Sequence, residues 1–400
     1  MAAAPDEEPG FDPLNPAFLE DPYPFYEPLR AMGPAVRQGA TQWVIARHAP
    51  VAALLRDQRL HSQWPEDFQR MRIGAGPGQE FLVRSVLHRE GTAHASLRRL
   101  LGACLHLSPA ADLRVLVSQL VNGCFDEAIE AGRCEVMRDL ALPVPAAVAC
   151  EMIGIPAADR PLIQGWGLDI IKAFNVVTRE ADRAPVNAAV ADMRDYLAGL
   201  LSRPAGKLAL IAGLVGDAAE RGEMSREELV DNLIFLLVSG FTTTVHVIAT
   251  VCAALARHPE VFAELRADPS LVSSAVEELI RYESPIQHIS RFAAERIEFE
   301  GVVIRPGRVV HLLLGSANRD ARQFTAPDEI NIRRSPNPHV SFGAGLHACL
   351  GASLGRLEAT TVVSTILERC EEFTPAGELI RRPLQVFRSY EQIPIGLAAA

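Results

Sequence analysis

At 400 residues and 48% hydrophobic, the chain is long enough to bury a large core, and its formal charge of -10, with acids and bases interspersed, argues against nucleic acid as a partner. Seven cysteines, an odd number at irregular spacings, do not read as a disulfide framework and fit a reducing compartment, the cytoplasm. No Ser/Gly-rich or Pro-rich linker and no internal repeat divides the sequence. Residues 11–400 are therefore expected to form a single domain after a disordered stretch over 1–10, whose Asp6, Glu7 and Glu8 suit neither a signal peptide nor a membrane anchor.

In chain order, the Pro-Tyr-Pro turns after Pro13 lead into an amphipathic helix through Tyr26, Leu29 and Met32. Trp43–Ala46 reads as a short strand and Val51–Arg56 as a helix. Leu60–Gly91 has no clear period and is broken by Gly74, Gly76, Pro77 and Gly78, the pattern of a long binding loop. Helix returns over Thr92–Cys104, with Leu97, Leu100 and Leu101 on one face and His94 and Arg98, four apart, on another. On its own that pair reads as a solvated polar face. Ile171–Arg203 reads as irregular at first and helical from Ala188.

The best-signalled element starts at Ser225, where Ser225 and Glu228 match a capping box, and Pro259 ends it. Its run Leu229–Ala256 is apolar nearly all round. Asp231, Asn232, Ser239, Gly240, three threonines and His246 make it too polar for a lipid-facing span, so a helix buried in protein is expected and no membrane partner. Within it, Ser239-Gly240-Phe241-Thr242-Thr243-Thr244 places hydroxyls where they can bond the preceding turn. A helix from Asp268-Pro269 to Tyr282 follows, with Glu278 and Arg281 three apart among apolar neighbours. Strands are then expected at 297–300, 302–304, 309–314 and 384–395, so the chain is mainly α with a small β part late in the sequence.

Chemistry concentrates at Ser341-Phe342-Gly343-Ala344-Gly345-Leu346-His347-Ala348-Cys349-Leu350-Gly351. The glycines permit positive φ and close backbone approach to a flat ligand. A helical pattern resumes at Leu350, so Cys349 stands where a helix N-terminus stabilises a thiolate. With no second cysteine or histidine at zinc spacing, the thiolate suits haem iron better than zinc. A buried core cysteine is the bland alternative.

The spacing of Phe342, Gly345, Cys349 and Gly351, with His347 and the run Leu354-Gly355-Arg356-Leu357-Glu358, resembles the haem-binding signature of the cytochrome P450 family, in the form found in soluble bacterial, natural-product-tailoring members. The resemblance runs from Asp21-Pro22-Tyr23 to Pro394. It implies one mainly α domain with haem b (iron protoporphyrin IX) between the central long helix and the cysteine loop. Cys349 would be the iron ligand, Phe342 and Gly343 would shape the haem contact, and His94, Arg98, Arg291 and His347 would bind its carboxylates. Glu278, Arg281 and Arg334 would support the loop, with His339 a weaker candidate near the carboxylates.

The implied reaction is reductive activation of O2 with hydroxylation or epoxidation of a small organic molecule, free or carrier-bound, in secondary metabolism. Electrons would come from NAD(P)H through a ferredoxin and a ferredoxin reductase, with Arg98, Arg99 and Arg356 as a docking patch. Relatives use the threonine matching Thr243 to hydrogen-bond oxygen and place an acid before it; here that position is Thr242, and Ser239 replaces a usual alanine. A relay through Ser239, Thr242 and His246, or an atypical oxidation such as coupling, ring closure or desaturation, are both consistent with this departure, and a haem-binding sensor is a third reading. Substrate contacts implied by position are Met71, Phe174, Val238, Ser239, Thr242, Ile286, His288, Ile289 and Tyr390.

Overall fold

The computed structural model describes residues 10–176 and 178–400, so the disorder expected over 1–10 lies, but for Gly10, outside the described residues. The chain forms two compact units. The first gathers the residues up to Ser62, Glu277–Cys349 and Arg381–Ser389; the second gathers Gln63–Val276, Leu350–Ile380 and Tyr390–Ala400.

The first unit is built on a five-stranded sheet in the order Val36–Gln38, Gln42–Ile45, Val309–Leu312, Ile289–Ala293, Leu60–His61. Gln42–Ile45 and Val309–Leu312 run parallel, with Trp43 opposite Val310; the other neighbours are antiparallel. Alternation sends Ile45, Val310, Leu312 and Ala293 into a core shared with Val51, Leu54, Ile304 and Val340. A hairpin, Ile297–Phe299 with Val302–Ile304, turns at Gly301, whose φ of +79° suits glycine.

The second unit is organised on the helix Arg226–Arg257, buried along most of its length. Helices Pro77–Arg84, Pro143–Ile153, Arg160–Ile170, Glu180–Ser202 and Ala352–Arg369 pack on it. By length and composition alone this helix could cross a bilayer, but 72% of its apolar window is buried. Ser225 caps it as expected, its side chain accepting from the Glu228 N–H at 3.1 Å. The second half of the capping box is diverted: the Glu228 carboxylate takes Arg89 Nη2 at 2.6 Å. A three-stranded antiparallel sheet, Arg133–Glu135, Pro394–Ala399, Cys370–Pro375, completes the unit.

Two expectations are corrected. The stretch read as a loop over 60–91 holds helices Glu66–Ile73 and Pro77–Arg84. The first is polar almost all round and so lacks a periodic signal; the glycines punctuate its end (Gly74, φ +83°) rather than abolish it. Helix Glu180–Ser202 begins eight residues before the expected Ala188, with Pro185 inside it. Glu180 and Asp182 in its first turn suit a helix start, and the proline lies early enough to be tolerated.

Candidate active site

In the first unit, Ser341–Cys349 closes on itself. Gly343 N–H donates to Val340 O, Ala348 N–H to Gly345 O, and Cys349 N–H to Phe342 O at 2.9 Å. Gly343 (φ +67°) and Gly345 (φ +72°) both sit in the left-handed region, and a Cβ on Gly345 would stand 2.8 Å from Leu55 O. Helix resumes at Ala352, just after Leu350-Gly351, so the expected helix start lies a little downstream of the thiol.

The loop's support was only partly legible. Glu278 and Arg281 are both fully buried and form a bidentate pair, Nε–Oε2 and Nη2–Oε1 each 2.8 Å. Arg334 Nε reaches the same carboxylate at 3.0 and 3.1 Å, as the resemblance implied. Asn331 N–H (2.8 Å) and Asn337 Nδ2 (3.2 Å) fill its remaining lone pairs. Arg281 also donates to the carbonyls of Asn318, Pro327 and Glu329, so both charges are satisfied, as a buried pair requires.

Asn318, which no local signal marks, does as much. Its Nδ2 donates to Ser284 Oγ and Ser341 Oγ and its Oδ1 accepts from Val340 N–H, each at 2.8 Å. His339 is engaged with Glu277 at 3.0 Å, so it serves the loop's base rather than an external carboxylate.

Arg291 lies on Ile289–Ala293, 9% exposed, with Nη1 on Ser290 O at 3.1 Å; His347 is half-buried in the turn Gly345–His347. In the second unit, His94 (3% exposed) and the half-buried Arg98 share one side of helix Gly91–Leu105, while Arg99 turns outward toward Glu223.

Which thiol could bind a metal follows from burial. Burial pushes Cys104, Cys124, Cys150 and Cys370 up to about 11, Cys134 up to about 12 and Cys252 well above its ordinary value. Cys349 alone of the seven is exposed. One reachable thiol at the end of a glycine-shaped loop, with histidine and arginine side chains suited to carboxylates, is a donor set that fits haem.

The central helix sorts its hydroxyls by face. Phe235, Ser239 and Thr243, spaced by four, are half-buried, as are the adjoining Leu236 and Gly240, whereas Thr242 is 2% exposed and shares its side with Val238 and His246. Within Ser239–Thr244 each hydroxyl donates back one turn: Ser239 to Phe235 O, Thr242 to Val238 O, Thr243 to Ser239 O, Thr244 to Gly240 O, at 2.6–3.0 Å. The helix stays continuous through Gly240 despite this back-bonding.

The positions expected to touch substrate scatter. Met71 is 70% exposed, Val238 fully buried, and Phe174 sits between the rings of Phe81 (6.3 Å) and Phe235 (6.2 Å). Tyr390 is 1% exposed and its hydroxyl accepts from Arg257 Nη1 at 3.1 Å. In the first unit Ile286 and Ile289 pack on the sheet core, and His288 is wholly buried with its ring 4.8 Å from Phe11.

Comparison with known proteins agrees with this geometry. The family model described as Cytochrome P450 matches residues 201–385. The chain is 32% identical to the Biotin biosynthesis cytochrome P450 of Bacillus subtilis, covering 94% of this chain and 96% of that one. It is 34% identical to Cytochrome P450 monooxygenase PikC of Streptomyces venezuelae, over 96% and 92%. Among solved structures, CalO2 superposes with a TM-score of 0.89 at 30% identity, over 97% of this chain and 99% of that one. P450BioI with an acyl carrier protein bearing hexadec-9Z-enoic acid superposes at 0.87 and 31% identity, over 95% and 99%. With full-length relatives above 30% identity and a cysteine loop of matching form, the chain belongs to the cytochrome P450 family, an oxidoreductase family whose named members include monooxygenases.

Proposed function

We propose that residues 11–400 act as one cytoplasmic catalytic domain that holds haem b through the Cys349 thiolate and inserts one atom of O2 into a small secondary-metabolite intermediate. The supporting observation is that Cys349 is the one exposed thiol and ends a loop fixed by Gly343, Gly345 and the Glu278 cluster. When bound, thiolate-ligated haem supplies the electron push that favours O–O cleavage. His94, Arg98, Arg291 and His347 would hold its carboxylates, and Phe342 and Gly343 would let its ring lie close to the backbone. Electrons are proposed to arrive from NAD(P)H through a ferredoxin and its reductase, with exposed Arg99 in the docking patch.

On the helix, Ser239 and Thr243 form the accessible hydroxyl strip. Each hydroxyl donates to a carbonyl one turn back, which leaves its oxygen lone pairs free to accept a hydrogen bond from water; turning off that carbonyl would let it pass a proton along the strip. Thr242 carries no carboxylate and faces the buried side, which favours a second reading: oxidation diverted to coupling, ring closure or desaturation. Turnover under labelled O2 with ferredoxin, reductase and NADPH separates the two. One labelled oxygen in the product supports insertion; a product that is oxidised but unlabelled supports the second reading. Because a relative crystallised with an acyl carrier protein, substrates are offered both free and carrier-linked.

A further inference from the structure

The second unit contains, among the described residues, a cation without a counter-charge. Arg72, at the end of helix Glu66–Ile73, donates Nε and Nη2 to Gln69 Oε1 at 3.2 and 3.0 Å and Nη1 to Asn175 O at 2.8 Å. Both acceptors are neutral, and among the described residues no carboxylate offsets its desolvation, which pulls its pKa down to about 10. Its neighbours differ. Arg70 has Glu66, Arg179 has Asp182, Lys172 has Asp169, and Arg194 has Asp231.

The segments that Arg72 joins carry buried polar groups that meet no partner among the described residues. Gln69 is 1% exposed; Arg72 occupies its Oε1, and its Nε2 hydrogens meet no acceptor. Thr178, three residues beyond Asn175, is 3% exposed and its hydroxyl is unpartnered. Arg183 lies over Gly74, where a Cβ would stand 3.3 Å from its Cδ and 3.7 Å from its Nε, and that Nε is buried and unpartnered. Its Nη1 reaches the exposed Glu180 only at 4.0 Å. A buried donor without an acceptor is unfavourable and an unpaired cation more so, and an anion reaching these groups would relieve both. Apolar groups adjoin the same segments: Phe174 precedes Asn175, its ring beside Phe81 and Phe235, and Ile73, next to Arg72, is buried.

We propose that Arg72, with Gln69, Thr178 and Arg183, binds the carboxylate of an apolar organic acid, and that such an acid is the substrate; this rests on the monooxygenase reading above. A planar carboxylate can take the Arg72 N–H groups that Gln69 and Asn175 leave over and still offer an oxygen to amide and hydroxyl donors, and one uncompensated arginine suits a monoanion. A carrier thioester has no free carboxylate, so the site selects the free acid.

The test is calorimetric titration of the haem-loaded protein with decanoate, methyl decanoate and decanol, with the haem spectrum recorded on the same samples. Decanoate should bind roughly 10–100-fold more tightly than its ester, the range for one charge-assisted contact. Arg72→Met should erase that preference while leaving ester affinity unchanged, Arg72→Lys should keep part of it, and Thr178→Val, which leaves the charge in place, should reduce it in a protein of wild-type stability. Equal affinity for acid and ester, absence of decanoate binding, or a preference that survives Arg72→Met overturns the proposal. The two readings fail separately. An Arg72-dependent acid preference in a haem-loaded protein that, supplied with ferredoxin, reductase and NADPH, oxidises neither acid nor ester keeps this site and removes the monooxygenase reading. Equal spectral shifts with acid and ester do the reverse.

Discussion

His288 offers a quantitative test of the core of the first unit. Its ring is completely buried against Phe11 and 6.4 Å from the ring of His311, and neither ring nitrogen has a hydrogen-bond partner. Burial, with a smaller push from His311, lowers its pKa to about 3, against about 6.5 in an unfolded chain. Below pH 6.5 the unfolded chain therefore binds a proton that the folded one refuses, and folding stability falls as pH falls. The loss begins near the unfolded value and continues down to about pH 3. Each pH unit costs about 1.36 kcal/mol, so going from about pH 7.5 to about pH 4.5 removes about 2.7 kcal/mol through this one residue. That figure holds for any native value comfortably below 4.5. His288→Leu removes the titration while keeping an apolar side chain in an apolar site. Urea unfolding of the holoprotein at both pH values should show the variant losing about 2.7 kcal/mol less than wild type. Identical pH dependence in the two proteins would refute the reasoning, because it would mean that the native ring protonates as freely as the unfolded one.

Other substitutions probe the loop and the helix. Gly345→Ala forces a Cβ to within 2.8 Å of Leu55 O at φ +72°, and should cost roughly 1–3 kcal/mol in chemical denaturation and lower haem occupancy. Glu278→Ala leaves the fully buried Arg281 guanidinium without its carboxylate and should destabilise by roughly 3–5 kcal/mol, measured the same way. Thr243→Val removes the half-buried hydroxyl of the accessible strip; product per NADPH should fall roughly 10–100-fold, at or below the usual range for a proton-handling group, with hydrogen peroxide rising. Glu358 is buried with one oxygen unpartnered, and burial raises its pKa to about 8. The folded state thus keeps a proton that the unfolded chain releases above about pH 4.5, so stability falls as pH rises from there to about 8. Glu358→Gln should flatten that slope in the same urea experiment.

How far the sequence could be read follows from what kind of signal each feature leaves. The cysteine loop was legible because glycines at positive φ and a reachable thiol need particular residue types at fixed spacing. Glu278 with Arg281 was legible as an i, i+3 pair in an apolar helix, and Ser225 as a cap. Asn318, Asn331 and Asn337 were not, because an asparagine that bridges distant segments carries no local pattern. Helix Glu66–Ile73 escaped for a related reason: its stability comes from contacts rather than from an apolar stripe. In that helix the expected substrate position fell on Met71, which faces outward at 70% exposure, while the inward chemistry belongs to its neighbours Gln69 and Arg72. The sequence singles out Thr242, and only the burial pattern shows that Ser239 and Thr243 share the open strip and Thr242 does not.

The central claim is that the Cys349 sulfur ligates haem iron as a thiolate. The absorption spectrum of the dithionite-reduced, carbon monoxide-saturated protein tests it most directly. Wild type should show the red-shifted Soret band from which the family takes its name, and Cys349→Ala should lack it while variants of the other six cysteines retain it. A Cys349→Ala protein that keeps the band, or a haem-loaded wild type that never shows it, would contradict the account.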